Sequence, residues 1–358
     1  MNMNRRDFLS ASGMAGVAAV TGCASLQTAG VKPEPKFAWS ELIHLGMNQW
    51  HEIPLRQKWP NVTDPVIADA IADEYNAADH VRFDESVWAR VSAKFKNVCV
   101  NQIVIDLGEA VEYPSHPELA VKGSWSADKL RGEIRRLRSM GFEPIPKLNF
   151  STSHDIWLKD YHRMVSSPKY YEVVKNLIRD VCEIFENPRY FHLGLDEEVP
   201  GFQNGQKIMI VRQGDLWWND FLYIVRQVEM KGVRAWCWSD KIWHAKKEFL
   251  NRMPKSVLQS NWYYGHTFRL DLPVREDRDC NAQNAYVELE KAGFDQVPTP
   301  SNWSVDDSVE GTVKFAKEHI SSERLKGFLA APWVKTLPQF EKMHEAQIDQ
   351  MHAAMKLI

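Results

Sequence analysis

The feature that most constrains this chain is an alternation, repeated eight times, of short strand-like runs with amphipathic stretches. The runs are 42–47, 100–106, 143–148, 190–195, 233–239, 256–262, 294–300 and 327–333. Between them, apolar residues recur at spacings of three and four, as in Leu130, Ile134 and Leu137, or Val173, Leu177, Val181 and Ile184. That period places them on one helix face. The clearest helical stretches are 85–97, 127–140, 168–186, 215–231, 308–320 and 338–356. Capping residues agree: Ser126 and Ser167-Pro168 open two of them, and Gly141 and Gly232 follow two, as helix ends require. Runs such as 103–105 are wholly apolar, as in parallel strands covered on both faces. Strand–helix alternation implies a parallel sheet. Eight repeats imply an α/β fold closed as a single (β/α)8 TIM barrel, expected over 40–358. No G-x-G-x-x-G follows the first run, which removes the main support for a dinucleotide-binding sheet.

Composition narrows the function. The 358 residues carry 44 Lys+Arg against 47 Asp+Glu, a net charge of −3. There is no basic surplus to neutralise phosphates, so nucleic acid is not expected as a partner. The five cysteines are scattered, with no C-x-x-C and no Cys/His cluster, so no metal site is expected; no cofactor is expected either. Cys99, Cys182 and Cys237 lie in apolar segments and read as small buried hydrophobes. One disulfide stays open as an alternative. Fourteen Trp is a high count, and most of them read as core; Trp217 and Trp218 lie in a helical stretch and read as structural.

The N-terminus reads as an address. Arg5 and Arg6 precede Phe8 and Leu9, and a weakly apolar run follows from Ala11 to Gly22. This resembles a twin-arginine export signal over 1–22. The run is too short for a spanning helix of about 20 residues. Small residues before Cys23 resemble a lipoprotein processing site, with a lipid on Cys23 attaching the protein to a membrane; ordinary cleavage nearby is the alternative. Residues 23–39, with Pro33 and Pro35, read as a tether. The expected location is periplasmic, or the outer membrane and cell surface.

In such barrels the functional residues lie at the C-terminal ends of the strands. The first run ends in Asn48, Gln49, Trp50, His51 and Glu52; the second in Asp106 and Glu109; the third in Asn149 and His154. The fourth gives Asp196, Glu197 and Glu198, the fifth Trp236, Trp238 and Asp240, and the sixth Asn261, Trp262, Tyr263, Tyr264 and His266; Trp303 and Trp333 follow the last two. The loops 48–84, 107–126 and 149–167 are long and suit a substrate rim. Acids among indole rings suit carbohydrate: sugar C–H faces pack on aromatics, and glycosidic cleavage needs an acid for the leaving oxygen. A carboxyl near Trp faces can stay protonated by desolvation.

His192-Leu193-Gly194-Leu195-Asp196-Glu197 resembles the H-x-G-G-D-E signature of family 20 glycoside hydrolases, the β-N-acetylhexosaminidases. That family's catalytic domain is a (β/α)8 barrel with the signature at its fourth strand. Trp125 to Asp128 through Gly141 to Pro146, Trp238-Ser239-Asp240, Trp262, and Gly327 to Trp333 are similar to further segments in the same strand order. The resemblance implies Glu197 as general acid/base. It implies that Asp196 orients the substrate's 2-acetamido group, whose carbonyl oxygen attacks the anomeric carbon. Trp238, Trp262 and Trp333 would wall the sugar pocket, with Asp106 and His154 as supporting polar groups. Other expected substrate contacts are His192, Asp240, Tyr263 and Trp303. For His192 a satisfied core histidine is the equal alternative, and Tyr263 and Tyr264 compete for one ligand contact.

The sequence also departs from the family. Leu195 replaces the signature's second Gly, and Asn149 to His154 stands for its P-G-H. Met47 to Trp50 stands where the family has a sugar-gripping Arg. Ser301-Asn302-Trp303 replaces its Tyr–acid pair, and Lys335 replaces its last Glu. Two alternatives follow. One is a non-catalytic carbohydrate-binding lipoprotein. The other is a hydrolase pairing Glu197 with Glu109 or Asp106. Glu198 reads as solvated or salt-bridged, and the loop histidines His51, His116 and His266 lack metal spacing. Arg131 to Arg138 reads as a solvated helix face.

Overall fold

The structure is a computed structural model, and it describes residues 37–55, 65, 68, 75–265, 267–270, 278–303 and 307–358. The expected signal, Cys23, most of the tether and His266 lie outside them. The described residues belong to one compact unit, Pro35–Ile358. Among them no helix is long and apolar enough to cross a membrane.

Seven parallel strands form one sheet: β1 Ala38–His44, β2 Gln102–Asp106, β3 Glu143–Lys147, β4 Tyr190–His192, β5 Arg234–Trp238, β6 Leu258–Ser260 and β7 Gly327–Ala330. Their spatial order is β6-β5-β4-β3-β2-β1-β7. The expected strand at 294–300 is not a regular strand, but it fills the eighth position. Val297 and Thr299 donate backbone N–H to Gln259 and Asn261 on one side. On the other, Leu329 and Ala331 donate to the carbonyls of Pro298 and Pro300. Proline has no N–H, so this segment joins both sheet edges while forming only isolated bridges. The result is the expected eightfold barrel, closed by a proline-interrupted stave.

Eight helices surround the strands among the described residues: α1 Glu85–Asn97, α2 Ala127–Ser139, α3 Pro168–Ile184, α4 Gly214–Glu229, α5 Lys241–Arg252, α6 Arg278–Lys291, α7 Ser308–His319 and α8 Glu341–Met355. Caps set their starts. The Asp84 carboxylate accepts the N–H groups of Ser86 and Val87 at 2.8 and 2.9 Å, and the Ser126 and Ser167 hydroxyls accept from Lys129 and Tyr170. Trp217 and Trp218 are buried against Phe221. Cys182, Cys237 and Cys280 are buried; Cys99, expected inside, is exposed at a turn with φ of 64°.

The first strand begins at Ala38 rather than Leu42 and ends at His44, so its start falls inside the stretch read as a tether. Its early half is polar yet buried: the Ser40 hydroxyl donates to Gln102 Oε1 at 2.9 Å, and Gln347 donates to Glu41 at 2.8 Å. Polar residues in register across the barrel weaken the apolar signature of a strand. Higher up, His44, Asp106, Lys147 and His192 pair in register on four adjacent strands. The Lys147 ammonium donates to Asp106, whose carboxylate lies 3.3 Å from His44 Nδ1. Burial opposes ionisation of Asp106, but Lys147 and His44 together outweigh it and hold the carboxyl far below its ordinary range. This charged layer is the floor on which the site stands.

Candidate active site

Past β4 the chain turns sharply upward. Gly194, Leu195 and Glu197 have φ of 68°, 71° and 54°. Gly194 is obligatory for two reasons. It lies in the left-handed region that favours glycine. A Cβ there would also stand 2.0 Å from the Asn149 side-chain oxygen. Leu195 takes the same backbone region without that freedom, at a cost of about 1–2 kcal/mol. Its side chain is buried.

Side chains from three directions hold this turn. Asn149 Oδ1 accepts the Leu195 N–H at 3.0 Å, while its Nδ2 donates to Asp196 Oδ1 at 2.8 Å. The Ser151 hydroxyl donates to the Asp196 carbonyl and the Ser153 hydroxyl to the Glu197 carbonyl. Asp240, at the end of β5, accepts the Glu197 N–H at 2.8 Å. The strained segment is therefore pinned by buried hydrogen bonds, as a preorganised site requires.

Asp196 and Glu197 face one imidazole. His154 Nε2 lies 3.4 Å from Asp196 and 3.3 Å from Glu197. Burial disfavours its charged form, yet the two carboxylates outweigh burial and hold His154 above its ordinary pKa. Asp240, buried and beside both acids, is pushed up to about 7, first by burial and then by Asp196. Donor atoms of His154, Asp196 and Glu197 lie within 4.8 Å of one another, so these three residues could also hold a cation.

The three residues open into a cavity of about 220 Å³ walled by Trp50, His51, Tyr75, Phe202, Trp262, Tyr264, Trp303 and Trp333. Trp333 anchors the far wall: its indole N–H donates to the Tyr264 hydroxyl at 3.0 Å, and Tyr264 stacks on Trp262 with centroids 5.2 Å apart. Trp50 packs between Tyr75 and His154.

Of the expected residues, the structure brings Asp196, Glu197, His154, Trp262, Trp303 and Trp333 to this cavity. The others stand elsewhere. Asp106 is fully buried in the charged floor, too committed to Lys147 to meet a substrate. His192 is a core histidine; its Nδ1 accepts the Gly194 N–H at 3.1 Å, and burial drives its pKa well down. Trp238 lies beneath the cavity, 4.3 Å from the His192 ring and 5.7 Å from Trp333, and supports the wall rather than forming it. Asp240 holds Glu197 by its backbone. Tyr263 turns away, donating to the Thr267 carbonyl at 3.1 Å, and Tyr264 takes the cavity position instead. Glu109 is spent on the backbone, accepting the N–H groups of Met47 and Asn48 at 2.9 and 3.0 Å. The loop 107–126 contributes nothing to the cavity wall. Sequence reasoning missed Tyr75 and Phe202 as wall residues. Tyr75 sits in a loop and Phe202 in the short 3-10 turn Pro200–Gln203, neither with a periodic pattern, and only the fold brings them in.

The chain's arrangement has close counterparts among solved structures. The exo β-N-acetylglucosaminidase of Vibrio harveyi in complex with N-acetylglucosamine superimposes with a TM-score of 0.54 at 14% identity, covering 78% of this chain and 56% of that one. The β-N-acetylhexosaminidase of Bacteroides fragilis gives 0.54 at 14% identity, over 87% of this chain and 66% of the other. Dispersin B gives 0.53 at 12% identity, over 76% of this chain and 95% of its own. The fold is that of the family 20 glycoside hydrolase barrel. At such identities the likeness establishes the fold. In sequence, the chain is 21% identical over 190 residues to the lacto-N-biosidase of Bifidobacterium bifidum, covering 46% of this chain and 17% of that protein. No family model matches the sequence.

Proposed function

We propose that this protein is a glycoside hydrolase that removes a terminal N-acetylhexosamine, with Glu197 as general acid/base and Asp196 assisting. The observation that carries the reading is the adjacent pair Asp196 and Glu197 on a pinned turn, both beside His154, at the base of an aromatic cavity. Protonated Glu197 gives its proton to the glycosidic oxygen as the bond to the anomeric carbon breaks. The acetamido carbonyl oxygen forms the new bond to that carbon, and Asp196 stabilises the positive charge that develops on the acetamido group. Glu197, now a carboxylate, takes a proton from the water that attacks the anomeric carbon and restores the acetamide. This is substrate assistance in place of a second carboxylate. It is favoured over a two-carboxylate scheme because Asp106 and Glu109, the candidate partners, are bound to Lys147 and to backbone N–H groups away from the cavity.

The carbohydrate-binding alternative rests on the missing Arg, Tyr and Glu. One panel separates the readings: aryl β-glycosides with and without a 2-acetamido group, tested with wild type and Glu197→Gln. We expect turnover of the N-acetyl substrates, reduced at least about 10²–10⁴-fold in the variant. Turnover confined to sugars without the acetamido group would remove substrate assistance. Sugar binding without turnover would establish the binding protein. We also infer export to the periplasm or cell surface, from Arg5-Arg6, with a lipid on Cys23. Mass spectrometry of the mature N-terminus reads this directly, and an unmodified N-terminus beyond Cys23 would sink the lipid.

A further inference from the structure

The loops that carry His51 and Phe202 to the cavity wall also form a rim whose other residues line no part of the cavity. Two loops make it. The Ile53 N–H donates to the Gly205 carbonyl at 2.8 Å, and the Lys207 N–H donates to Glu52 Oε2 at 2.9 Å. Arg163 holds the other oxygen of Glu52 at 2.8 Å. Gly205 lies so close to His51 that a Cβ there would stand 2.2 Å from its ring. The two loops therefore act as one surface.

Beside Glu52, Arg163 and Lys207, that surface carries a group of exposed apolar side chains. Among the described residues ten large hydrophobic side chains are exposed, and four of them stand on these loops: Ile53 at 43%, Phe202 at 39%, Ile208 at 48% and Met209 at 52%. Scattered exposed hydrophobics need no explanation, whereas a cluster at a cavity mouth marks a binding surface. Phe202 belongs to both, lining the cavity with Glu197 while being more than a third exposed.

We propose that this rim is the subsite for the leaving group, and that it takes an alkyl or aryl aglycone. The inference rests on the hydrolase reading above. Glu197 must reach the glycosidic oxygen, so the group beyond that oxygen extends outward from the cavity. Phe202 lines the cavity together with Glu197 and is itself exposed, so it links the cavity to the surface. A hydroxyl-rich second sugar needs hydrogen-bonding partners; Ile53, Phe202, Ile208 and Met209 present none from their side chains.

The test compares methyl, butyl and octyl β-N-acetylglucosaminides, whose alcohols are closely similar leaving groups. It measures kcat/KM with wild type and the exposed double variant I208S/M209S. It also measures binding of the same series to Glu197→Gln by calorimetry. From the burial of several methylenes, wild type should favour octyl over methyl about tenfold or more in both measurements. The double variant should bring the turnover ratio to within about twofold of unity. Hydrolysis with no dependence on chain length would overturn the subsite and leave the hydrolase reading intact. Length-dependent binding without hydrolysis by wild type would retain the subsite and sink that reading. A wild-type dimer in sedimentation that dissociates in I208S/M209S would also overturn the proposal, assigning the rim to a second copy of the chain.

Discussion

Glu197 and Glu198 are neighbours with opposite surroundings. Glu197 sits on a strained turn at the cavity, with a histidine 3.3 Å away and its carboxyl partly open to solvent. Glu198 is locked on both oxygens by Arg212, at 2.7 Å each, and the same guanidinium donates to Asp220 at 3.0 Å and to the Phe150 carbonyl at 2.9 Å. Arg212, Glu198 and Asp220 are all buried. The first residue is held by its backbone, with its carboxyl beside His154 at the cavity, and the second is held by its carboxyl. A proton-transfer group needs the first arrangement. A buried ion cluster is stable only with the second, because an unpaired buried charge is costly. One residue of chain thus separates the proposed acid/base from a scaffold carboxylate.

The strongest way to break this contrast is Arg212→Met. It strands Glu198 and Asp220 without their cation and should destabilise the fold by about 3–5 kcal/mol. In urea titration Glu197→Gln should move the midpoint far less. Equal losses in the two variants would mean that the acids are not divided in this way.

A smaller effect should come from Asp240→Asn. The folded pKa of Asp240, about 7, lies above its ordinary value of 3.8. The folded protein therefore holds this proton more tightly than the unfolded chain does. That contribution is full below about pH 4 and is lost as pH rises through about 7, at up to about 1.4 kcal/mol per pH unit. Asn keeps an acceptor for the Glu197 N–H and cannot ionise. Thermal unfolding followed from pH 4 to 8 should show the variant's stability changing less with pH than wild type's. An identical pH slope would show that Asp240 is not titrating there.

The mildest change is Leu195→Gly. It relieves about 1–2 kcal/mol of backbone strain. It also removes a buried leucine side chain, a loss of about 2–5 kcal/mol. Net destabilisation of about 1–3 kcal/mol should follow with the turn geometry kept. A stabilised variant would show that the side chain packs less usefully than its burial indicates.

How much of this was legible beforehand depends on the kind of signal. Helix α1 matches its expected 85–97 span, and α2 its start, because Asp84 and Ser126 cap with local geometry alone. Helix α5 was not among the clear helical stretches; it follows β5 after two residues and is broken at Ala245, where φ is −142°. The stave at 294–300 has a strand's position but lacks its donors at Pro298 and Pro300. Among site residues, Asp196, Glu197 and His154 were readable because they follow strand ends. Trp238 and Asp106 obey the same rule yet point into the barrel, where the rule does not distinguish floor from mouth. Tyr263 and Tyr264 differ by one position, and only packing chose between them.

The sequence by itself determined the barrel. Periodicity, caps and strand-end acids are local properties, written in residues a few positions apart, and eight repeats leave few ways to close a sheet. Tertiary structure alone decided which carboxyl faces the cavity. Arg212 comes to Glu198 from 14 residues away and Asp240 to Glu197 from 43. Whether an acid is a tool or a strut depends on partners that chain proximity does not supply.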